Sequence, residues 1–324
     1  MKKLLILGGA GFIGGALAAR FSPDHQVVIA DACDFATSSL RFTNLLTHPN
    51  VILTKLDATD PQAVLALGED YDYIVHAVAI LGIHKIAEQS ILTITTNYSS
   101  CYNALLLAEK QKHLQKFLTF STSETYGRDV ERAAETMDFR VGPASEARWC
   151  YAASKVLCEH LTNAFCRERG VPTLIVRPFN VFGENRLGSN AMSKFIAQAL
   201  LNDTITIDGS GNQLRAWCYI GDFIEGLSRA LTSQYKGEYF NIGNPNNIIS
   251  ILELAELIVK KTGSSSQILV SNSDAPDVVR RTVCVDKAHE MLGYTPRVSL
   301  EEGVDRVVAW MGTLDKDTLR SFTK

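Results

Sequence analysis

The sequence predicts an α/β fold in which a doubly wound, parallel β-sheet is followed by a smaller region of mixed structure. Three features support this prediction. Short apolar runs rich in β-branched residues alternate with segments of helical periodicity, the first run leads directly into a group of glycines, and the regular alternation stops near residue 177. Such alternation is typical of a parallel sheet that helices cover on both faces.

The elements follow from these runs in chain order. The predicted strands are residues 3–7, 26–30, 51–55, 73–76, 116–120 and 173–176, and the predicted helices include 12–20, 98–112 and 151–169. Beyond Arg177 the chain mixes short strand-like and helix-like pieces with polar, glycine-rich loops. We therefore predict two domains, 1–177 and 178–324, and we expect the second to bind substrate because it is too irregular to repeat the first fold.

The first twenty residues admit two interpretations. Two lysines, an apolar run and an Ala-Leu-Ala ending resemble a secretory signal, but each of the five glycines between positions 8 and 15 would cost ~1 kcal/mol against alanine in a helix. The order strand, glycines, helix instead matches the dinucleotide fingerprint as Gly9-Ala-Gly11-Phe-Ile-Gly14, and Gly8, Gly11 and Gly14 repeat every third residue. Glycine allows a pyrophosphate to approach the backbone at the start of the helix. Residues 1–177 are thus predicted to form a Rossmann-type domain.

The next predicted strand ends in a carboxylate that indicates which cofactor binds. Asp31 lies 17 residues after Gly14, near the spacing at which an acidic residue binds the ribose 2′-hydroxyl of a dinucleotide. A carboxylate at this position repels a 2′-phosphate. The sequence therefore predicts NAD rather than NADP.

Composition and charge exclude several other classes of protein. The net charge of −3 and the lack of a long basic run argue against nucleic acid or an anionic membrane as the main partner. The seven cysteines are odd in number and form no C-x-x-C pair, so neither a disulfide framework nor a metal site is predicted. No apolar run reaches the ~18 residues of a membrane span. We expect a cytoplasmic protein.

Tyr151 and Lys155 are the candidate acid–base pair. They are four residues apart in a predicted helix, so that both side chains lie on one face. An ordinary tyrosine has a pKa of about 10, and it can act as a base near neutrality only when neighbouring positive charge lowers that pKa. Lys155 is expected to supply part of this charge and to bind the nicotinamide ribose.

A second group of polar residues ends the strand 116–120. The sequence there continues as Ser121-Thr122-Ser123-Glu124, and ligands bind at the carboxyl ends of the strands in such sheets. Thr122 or Ser123 is expected to hydrogen-bond the substrate oxygen that Tyr151 deprotonates. Glu124 is expected to reach an adjacent carbon or hydroxyl.

Further stretches in the same order along the chain identify a family. They are Asp57, His76-Ala-Val-Ala79, Arg177-Pro-Phe-Asn180, Arg215, Phe240-Asn-Ile-Gly-Asn-Pro245, Arg281 and Leu292-Gly-Tyr-Thr-Pro296. With the glycine turn, Tyr151 and Lys155, they resemble the extended short-chain dehydrogenase/reductase family of nucleotide-sugar enzymes. The resemblance covers nearly the whole chain.

The resemblance implies both ligands and a catalytic cycle. The cofactor is NAD, contacted by Phe12, Ile13, Asp57, Ala77, Val78, Ala79 and Pro178 as well as by the glycines, Tyr151 and Lys155. The substrate is a nucleotide sugar, held by Asn180, Arg186, Arg215 and Arg281, since arginine matches phosphate oxygens. Hydride leaves sugar C4 while Tyr151 takes the hydroxyl proton, which gives a 4-ketosugar. His76 is interpreted as core packing.

Three reactions can follow from such a ketone. The Thr-Ser-Glu segment, with its carboxylate at Glu124, resembles the same segment of UDP-glucuronate decarboxylases and 4,6-dehydratases more than that of simple 4-epimerases. The stretches Arg148-Trp-Cys-Tyr151 and Asp277-Val-Val-Arg-Arg281 most resemble the decarboxylases. Decarboxylation of a UDP-hexuronate is therefore favoured, dehydration comes second and epimerisation third. Arg281 is then a proton donor, a carboxylate anchor or a diphosphate ligand.

The segment after Asn180 departs from the pattern of the family. Where relatives read Gly-Pro-Arg, this chain has Gly183-Glu184-Asn185-Arg186, so either Arg186 replaces the missing arginine or the sugar differs. A non-catalytic NAD-binding regulator on the same fold is the alternative to an enzyme, although such proteins usually lack the Tyr or the Lys. The family further implies a homodimer through helices 98–112 and 151–169. The candidate apolar stripe is Leu105, Leu106, Ala108, Leu157, Leu161 and Phe165.

Overall fold

A computed structural model describes residues 1–35, 45, 47–188, 190–271 and 278–323. The strands are Lys2–Leu7 (β1), His25–Asp31 (β2), Val51–Lys55 (β3), Tyr73–His76 (β4), Lys116–Phe120 (β5), Asp129–Ala133 (β6), Thr173–Pro178 (β7), Val181–Phe182 (β8), Ile205–Asp208 (β9), Leu214–Ala216 (β10), Cys218–Tyr219 (β11), Glu238–Ile242 (β12), Ile248–Ser250 (β13), Ile268–Ser271 (β14) and Arg280–Val283 (β15). The helices are Phe12–Phe21 (α1), Pro61–Leu65 (α2), Ile83–Glu88 (α3), Ser90–Lys110 (α4), Trp149–Arg169 (α5), Ala191–Leu201 (α6), Ile220–Thr232 (α7), Ile251–Thr262 (α8), Asp286–Leu292 (α9), Leu300–Met311 (α10) and Lys316–Ser321 (α11). A 3₁₀ turn covers Ser123–Tyr126.

The main sheet of the described residues has seven parallel strands in the order β12-β7-β5-β4-β1-β2-β3. The strand order reverses between β1 and β4, which is the point where doubly wound sheets bind ligands at the carboxyl ends of their strands. The predicted Rossmann-type fold is confirmed. Each strand predicted from the sequence is present, with bounds that differ by two residues at most.

Side chains alternate between the two faces of the sheet along each strand, and both faces are buried. One apolar core contains Leu4, Ile6, Val27 and Ile29, and the other contains Leu5, Leu7, Val28 and Ala30. Continuous apolar runs such as Leu4–Leu7 therefore fill two cores at once. This explains why the strands show no alternation of polar and apolar residues in the sequence.

The helix predicted at 98–112 begins eight residues earlier, at Ser90. Its first two turns are rich in β-branched residues, which have a low helix propensity. Thr93 and Asn97 are nevertheless fully buried there, so tertiary packing outweighs the local preference. Helix α5 begins at Trp149, two residues before its predicted start.

The sheet crosses the proposed domain boundary at residue 177. Strand β12, from the second region, pairs with β7 at the edge of the main sheet. Conversely, β6 from the first region joins a four-stranded sheet of order β13-β10-β15-β6. The division into 1–177 and 178–324 therefore stays a prediction about function, since the two regions exchange strands.

No helix of the described ranges combines the length and the apolar character that crossing a bilayer requires.

Candidate functional site

The glycine turn lies at the carboxyl end of β1. Gly8, Gly11 and Gly14 of this turn are glycine for different structural reasons. Gly8 has a φ of +78°, and a Cβ there would lie 2.7 Å from the backbone nitrogen of Val78. A Cβ at Gly14 would lie 2.7 Å from Gly9 Cα. Gly8 and Gly14 are thus required by the packing of the chain itself.

Gly11 has no such internal reason. A Cβ at this position would meet, among the described atoms, only the Gly8 carbonyl oxygen at 3.4 Å. Gly11 is also the N-cap of α1, and within the described part of the chain no side chain caps that helix. Within the described residues, the backbone N–H groups of Phe12 and Ile13 therefore have no side-chain cap, which is the condition that binding of a dinucleotide pyrophosphate requires.

Asp31 ends β2 beside this turn. Its carboxylate accepts hydrogen bonds from the backbone N–H of Ala10, at 3.0 Å, and of Cys33, at 3.1 Å. The two bonds hold the carboxylate at the edge of the glycine turn. This is the placement that binding of a ribose 2′-hydroxyl requires.

The remaining residues predicted to contact the cofactor border the same edge of the sheet. Ala77, Val78 and Ala79 follow β4 and are partly exposed, and the Ala77 N–H donates to the Leu7 carbonyl at 2.8 Å. Asp57 is exposed after β3, where its carboxylate accepts from the Thr59 N–H at 2.9 Å. Pro178 ends β7.

Tyr151 and Lys155 lie on one face of α5, as predicted, and both are buried. The Lys155 ammonium donates to the backbone carbonyl of Phe120 at 3.0 Å and to that of Val78 at 3.5 Å. It lies 6.0 Å from the centre of the Tyr151 ring. Lys155 therefore connects the carboxyl ends of β4 and β5. The cofactor and the substrate are expected at this edge of the sheet.

The pKa of Tyr151 runs against the expectation from the sequence. Burial raises it above its ordinary value, the Glu124 carboxylate raises it further, and a hydrogen bond with Thr122 lowers it in part. Lys155 does not offset the burial. Its own pKa is lowered, because burial disfavours the ammonium. Within the described part of the chain, no positive charge lowers the pKa of Tyr151.

Thr122, Ser123 and Glu124 begin the 3₁₀ turn after β5. The Thr122 hydroxyl accepts a hydrogen bond from the Glu124 N–H at 3.2 Å and caps the turn. Thr122 and Ser123 are buried, while 23% of the Glu124 side chain is exposed. The structure thus brings the predicted Thr-Ser-Glu group next to Tyr151.

Arg281 joins this group from the second region. Its Nη1 lies 3.7 Å from Glu124 Oε1, and its Nη2 donates to the Gly127 carbonyl at 3.3 Å. Arg281 is 4% exposed. The arginine is therefore within ion-pair distance of Glu124 and hydrogen-bonds the residue that follows the turn. Asp277, which belongs to the same predicted motif, lies outside the described residues.

The other residues predicted to bind substrate lie on the second region. Arg215 is paired with Arg281 in the register of the parallel strands β10 and β15, so the two side chains lie on the same face of that sheet. Asn180 has a φ of +33° and donates to the Ala216 carbonyl at 3.0 Å. Their binding of a nucleotide sugar stays a prediction.

Arg186 lies farther along the loop, against the start of α1. Its guanidinium donates to the Val181 carbonyl and lies 5.7 Å from the Phe12 ring centre. Burial lowers its pKa to about 10, which leaves it charged near neutrality. Its positive charge therefore lies beside the glycine turn.

His76 is a core residue, as interpreted from the sequence. It is fully buried, and its two ring nitrogens pair with the hydroxyls of Thr119, at 3.0 Å, and Ser100, at 2.9 Å. Burial holds the pKa of His76 well below its usual value.

One buried network escaped the sequence analysis. The Arg177 guanidinium forms a two-point ion pair with Glu159, at 2.8 and 2.6 Å, and also donates to the Tyr126 hydroxyl. The sequence does contain an indication of this network. Glu159 follows Lys155 by four residues, and a carboxylate on that buried face of the helix requires a partner.

Comparison with known proteins agrees with this geometry. The model of the NAD dependent epimerase/dehydratase family matches residues 4–243. This chain belongs to that family. NAD is accordingly its cofactor, and the open space at Gly11 and the fixed carboxylate of Asp31 fit that dinucleotide.

Individual relatives are similar over nearly the whole of this chain. A UDP-N-acetyl-alpha-D-glucosaminuronate decarboxylase of Bacillus cytotoxicus is 33% identical over 326 residues, covering 98% of this chain and 99% of that protein. UDP-glucuronic acid decarboxylase 1 of Danio rerio is 33% identical over 95% of this chain and 72% of its own. The crystal structure of a UDP-glucuronic acid 4-epimerase from Bacillus cereus, in complex with UDP-glucuronic acid and NAD, has a TM-score of 0.87 at 26% identity, covering 95% of this chain and 98% of that one.

Proposed function

We propose that this protein is an NAD-dependent decarboxylase of a UDP-hexuronate, working through a 4-keto intermediate. The observation that carries the proposal is the pairing of Glu124 with Arg281 beside the buried Tyr151 hydroxyl. The names of the relatives at 33% identity support the same reaction class.

The first half of the reaction is oxidation at C4. When bound, NAD would supply the hydride acceptor and, in its oxidised form, a positive charge that favours the phenolate. Tyr151 takes the proton of the C4 hydroxyl, and Thr122 orients the oxygen by a hydrogen bond. Since burial raises the pKa of Tyr151, we expect the phenol to release its proton only when the oxidised cofactor is present.

The second half uses the ketone to release carbon dioxide. A ketone at C4 is two bonds from the C6 carboxylate, so that the C5–C6 bond can break with its electron pair delocalised onto the C4 oxygen. Tyr151 and Thr122 hydrogen-bond that oxygen as negative charge develops there. Glu124 would then relay a proton from solvent to C5, hydride would return to C4 from the reduced cofactor, and Tyr151 would give its proton back to the C4 oxygen. We propose Glu124 and Arg281 as the groups that act at C5.

Incubation with UDP-glucuronate and with its 2-acetamido analogue tests this proposal. We expect carbon dioxide to be released from at least one of them, with a UDP-pentose as product. Carbon dioxide from carboxyl-labelled substrate and mass spectrometry of the product provide the measurement. Conversion to the 4-epimer without loss of carbon dioxide would contradict decarboxylation and would favour the activity named for the Bacillus cereus structure.

We also propose a homodimer formed by α4 and α5, on residues that share only Leu157 with the stripe expected from the sequence. Leu105, Ala108 and Phe165 are buried within this chain. The exposed apolar side chains are instead Ile91, at 81%, with Leu92, Ile94, Tyr98, Tyr102 and Leu157, at 38–50%. Tyr98 and Tyr102 stack with a ring separation of 6.1 Å. An exposed apolar face of this kind is typical of an interface.

Light scattering after size exclusion tests the dimer. The wild-type protein is expected at twice the mass of the chain, and Ile91→Glu is expected to shift it toward the monomer because a carboxylate would be buried in the interface. Ile52→Glu is the matched control, since Ile52 is 43% exposed on β3. A monomeric wild-type protein would contradict the proposal.

A further inference from the structure

We infer that Tyr126 is a positioning residue, whose hydroxyl holds the turn carrying Glu124 against the helix carrying the acid–base pair. The inference rests on the proposed function and assigns a role to a residue outside the reacting groups. Tyr126 is the last residue of the 3₁₀ turn Ser123–Tyr126 and is 1% exposed. It follows Glu124 by two residues.

The hydrogen bonds of the Tyr126 hydroxyl have a defined direction. The amide nitrogen of Asn241 donates to the carbonyls of Ala133, at 2.9 Å, and Cys284, at 3.3 Å. Its oxygen therefore faces Tyr126 and accepts the phenol proton at 2.9 Å, which leaves a phenol lone pair to accept from Arg177 Nη1 at 2.7 Å.

Tyr126 does not exchange protons with a substrate. Burial raises its pKa to about 12, so the phenol stays protonated near neutrality. Its proton is used by Asn241 and its lone pair by Arg177. The hydroxyl therefore has a mechanical role, which is to anchor the end of the turn.

A buried ion pair connects the Tyr126 hydroxyl to α5. The Arg177 guanidinium binds both oxygens of Glu159, and the two side chains are 3% and 1% exposed. Glu159 lies one helical turn after Lys155 on α5. A planar guanidinium bound at two points has little freedom to move, so its third contact fixes the Tyr126 ring relative to that helix.

The start of the turn is held separately. The Ser121 hydroxyl donates to Glu159 Oε1, so Thr122 remains tied to α5 even without Tyr126. Arg281 also contacts the far end of the turn, at Glu124 and at the Gly127 carbonyl, but it belongs to β15 and not to α5. Loss of the Tyr126 hydroxyl is therefore expected to shift Glu124 relative to α5 and to leave Thr122 beside Tyr151. In the proposed mechanism, oxidation at C4 depends on Thr122 and Tyr151, whereas the later steps depend on Glu124 as well.

The test is Tyr126→Phe in the full-length protein with NAD. We expect carbon dioxide release to slow roughly 10- to 100-fold, the effect of a misplaced reacting group, while reduction of the nicotinamide on substrate addition changes much less. Reduced cofactor should therefore accumulate. Tyr71→Phe is the matched control, because the buried Tyr71 hydroxyl donates to the Leu67 carbonyl at 3.0 Å, away from the site.

A second measurement requires no substrate. Hydrogen exchange at the N–H groups of Glu124, Thr125 and Gly127 should be faster in Tyr126→Phe than in wild type or Tyr71→Phe. Unchanged exchange, or equal slowing of both half-reactions, would overturn the inference. If the wild-type protein released no carbon dioxide, the proposed function would fail, and the exchange result would still decide the role of Tyr126.

Discussion

Replacement of Tyr151 by phenylalanine is expected to slow turnover roughly 10²- to 10⁴-fold, the range that one positioned acid–base group contributes. In the proposed mechanism the phenol oxygen takes the C4 proton, and the rest of the ring contributes only packing. Since Tyr151 is buried on α5 and its ring stays, the fold should be retained. Reduction of the nicotinamide on addition of UDP-glucuronate measures the step directly.

The control for this experiment is Tyr73→Phe. Tyr73 is also buried, but its hydroxyl donates to the Gln115 side chain at 3.0 Å at the amino end of β4, opposite the site. Both variants should bind NAD and unfold at nearly the wild-type temperature. Undiminished nicotinamide reduction in Tyr151→Phe would show that another group is the base, and it would remove the central residue of the proposed mechanism.

Glu159→Gln is expected to lower the free energy of unfolding by about 3–5 kcal/mol, because it leaves a buried guanidinium without its carboxylate. The Arg177 and Glu159 side chains are almost fully buried, and neither can be resolvated without opening the site. Denaturant unfolding provides the measurement. The double variant Glu159→Gln/Arg177→Met should lose less free energy of unfolding than the sum of the losses in the two single variants, because no unpaired charge then remains.

An exposed ion pair of equal length is the comparison. Arg229 and Glu225 are also 2.6 Å apart, but their side chains are 42% and 47% exposed. Glu225→Gln is expected to cost less than about 1 kcal/mol, since solvent screens both charges. Similar losses for the two variants would mean that burial does not strengthen the Arg177–Glu159 pair.

Local pattern was sufficient for most of the Rossmann-type sheet and for the parts of the site that adjoin it. Short apolar runs bounded by polar turns have few alternatives to a buried parallel strand, and glycines directly after one leave room for a phosphate. Tyr151 and Lys155 follow equally from local spacing, because residues four apart in a helix share a face. Helix α4 was placed less well, because buried packing of Thr93 and Asn97 overrides the low helix propensity of its first turns.

Contacts between residues distant in the chain were decided by the tertiary structure alone. Arg281 meets Glu124 across 157 positions of sequence, and Arg177 meets Tyr126 across 51. Nothing in the spacing of such residues records the contact, since it depends on which strands become neighbours. The same holds for the pKa of Tyr151, which the sequence suggested would be lowered by Lys155 and which burial instead raises, because desolvation is a property of the assembled core.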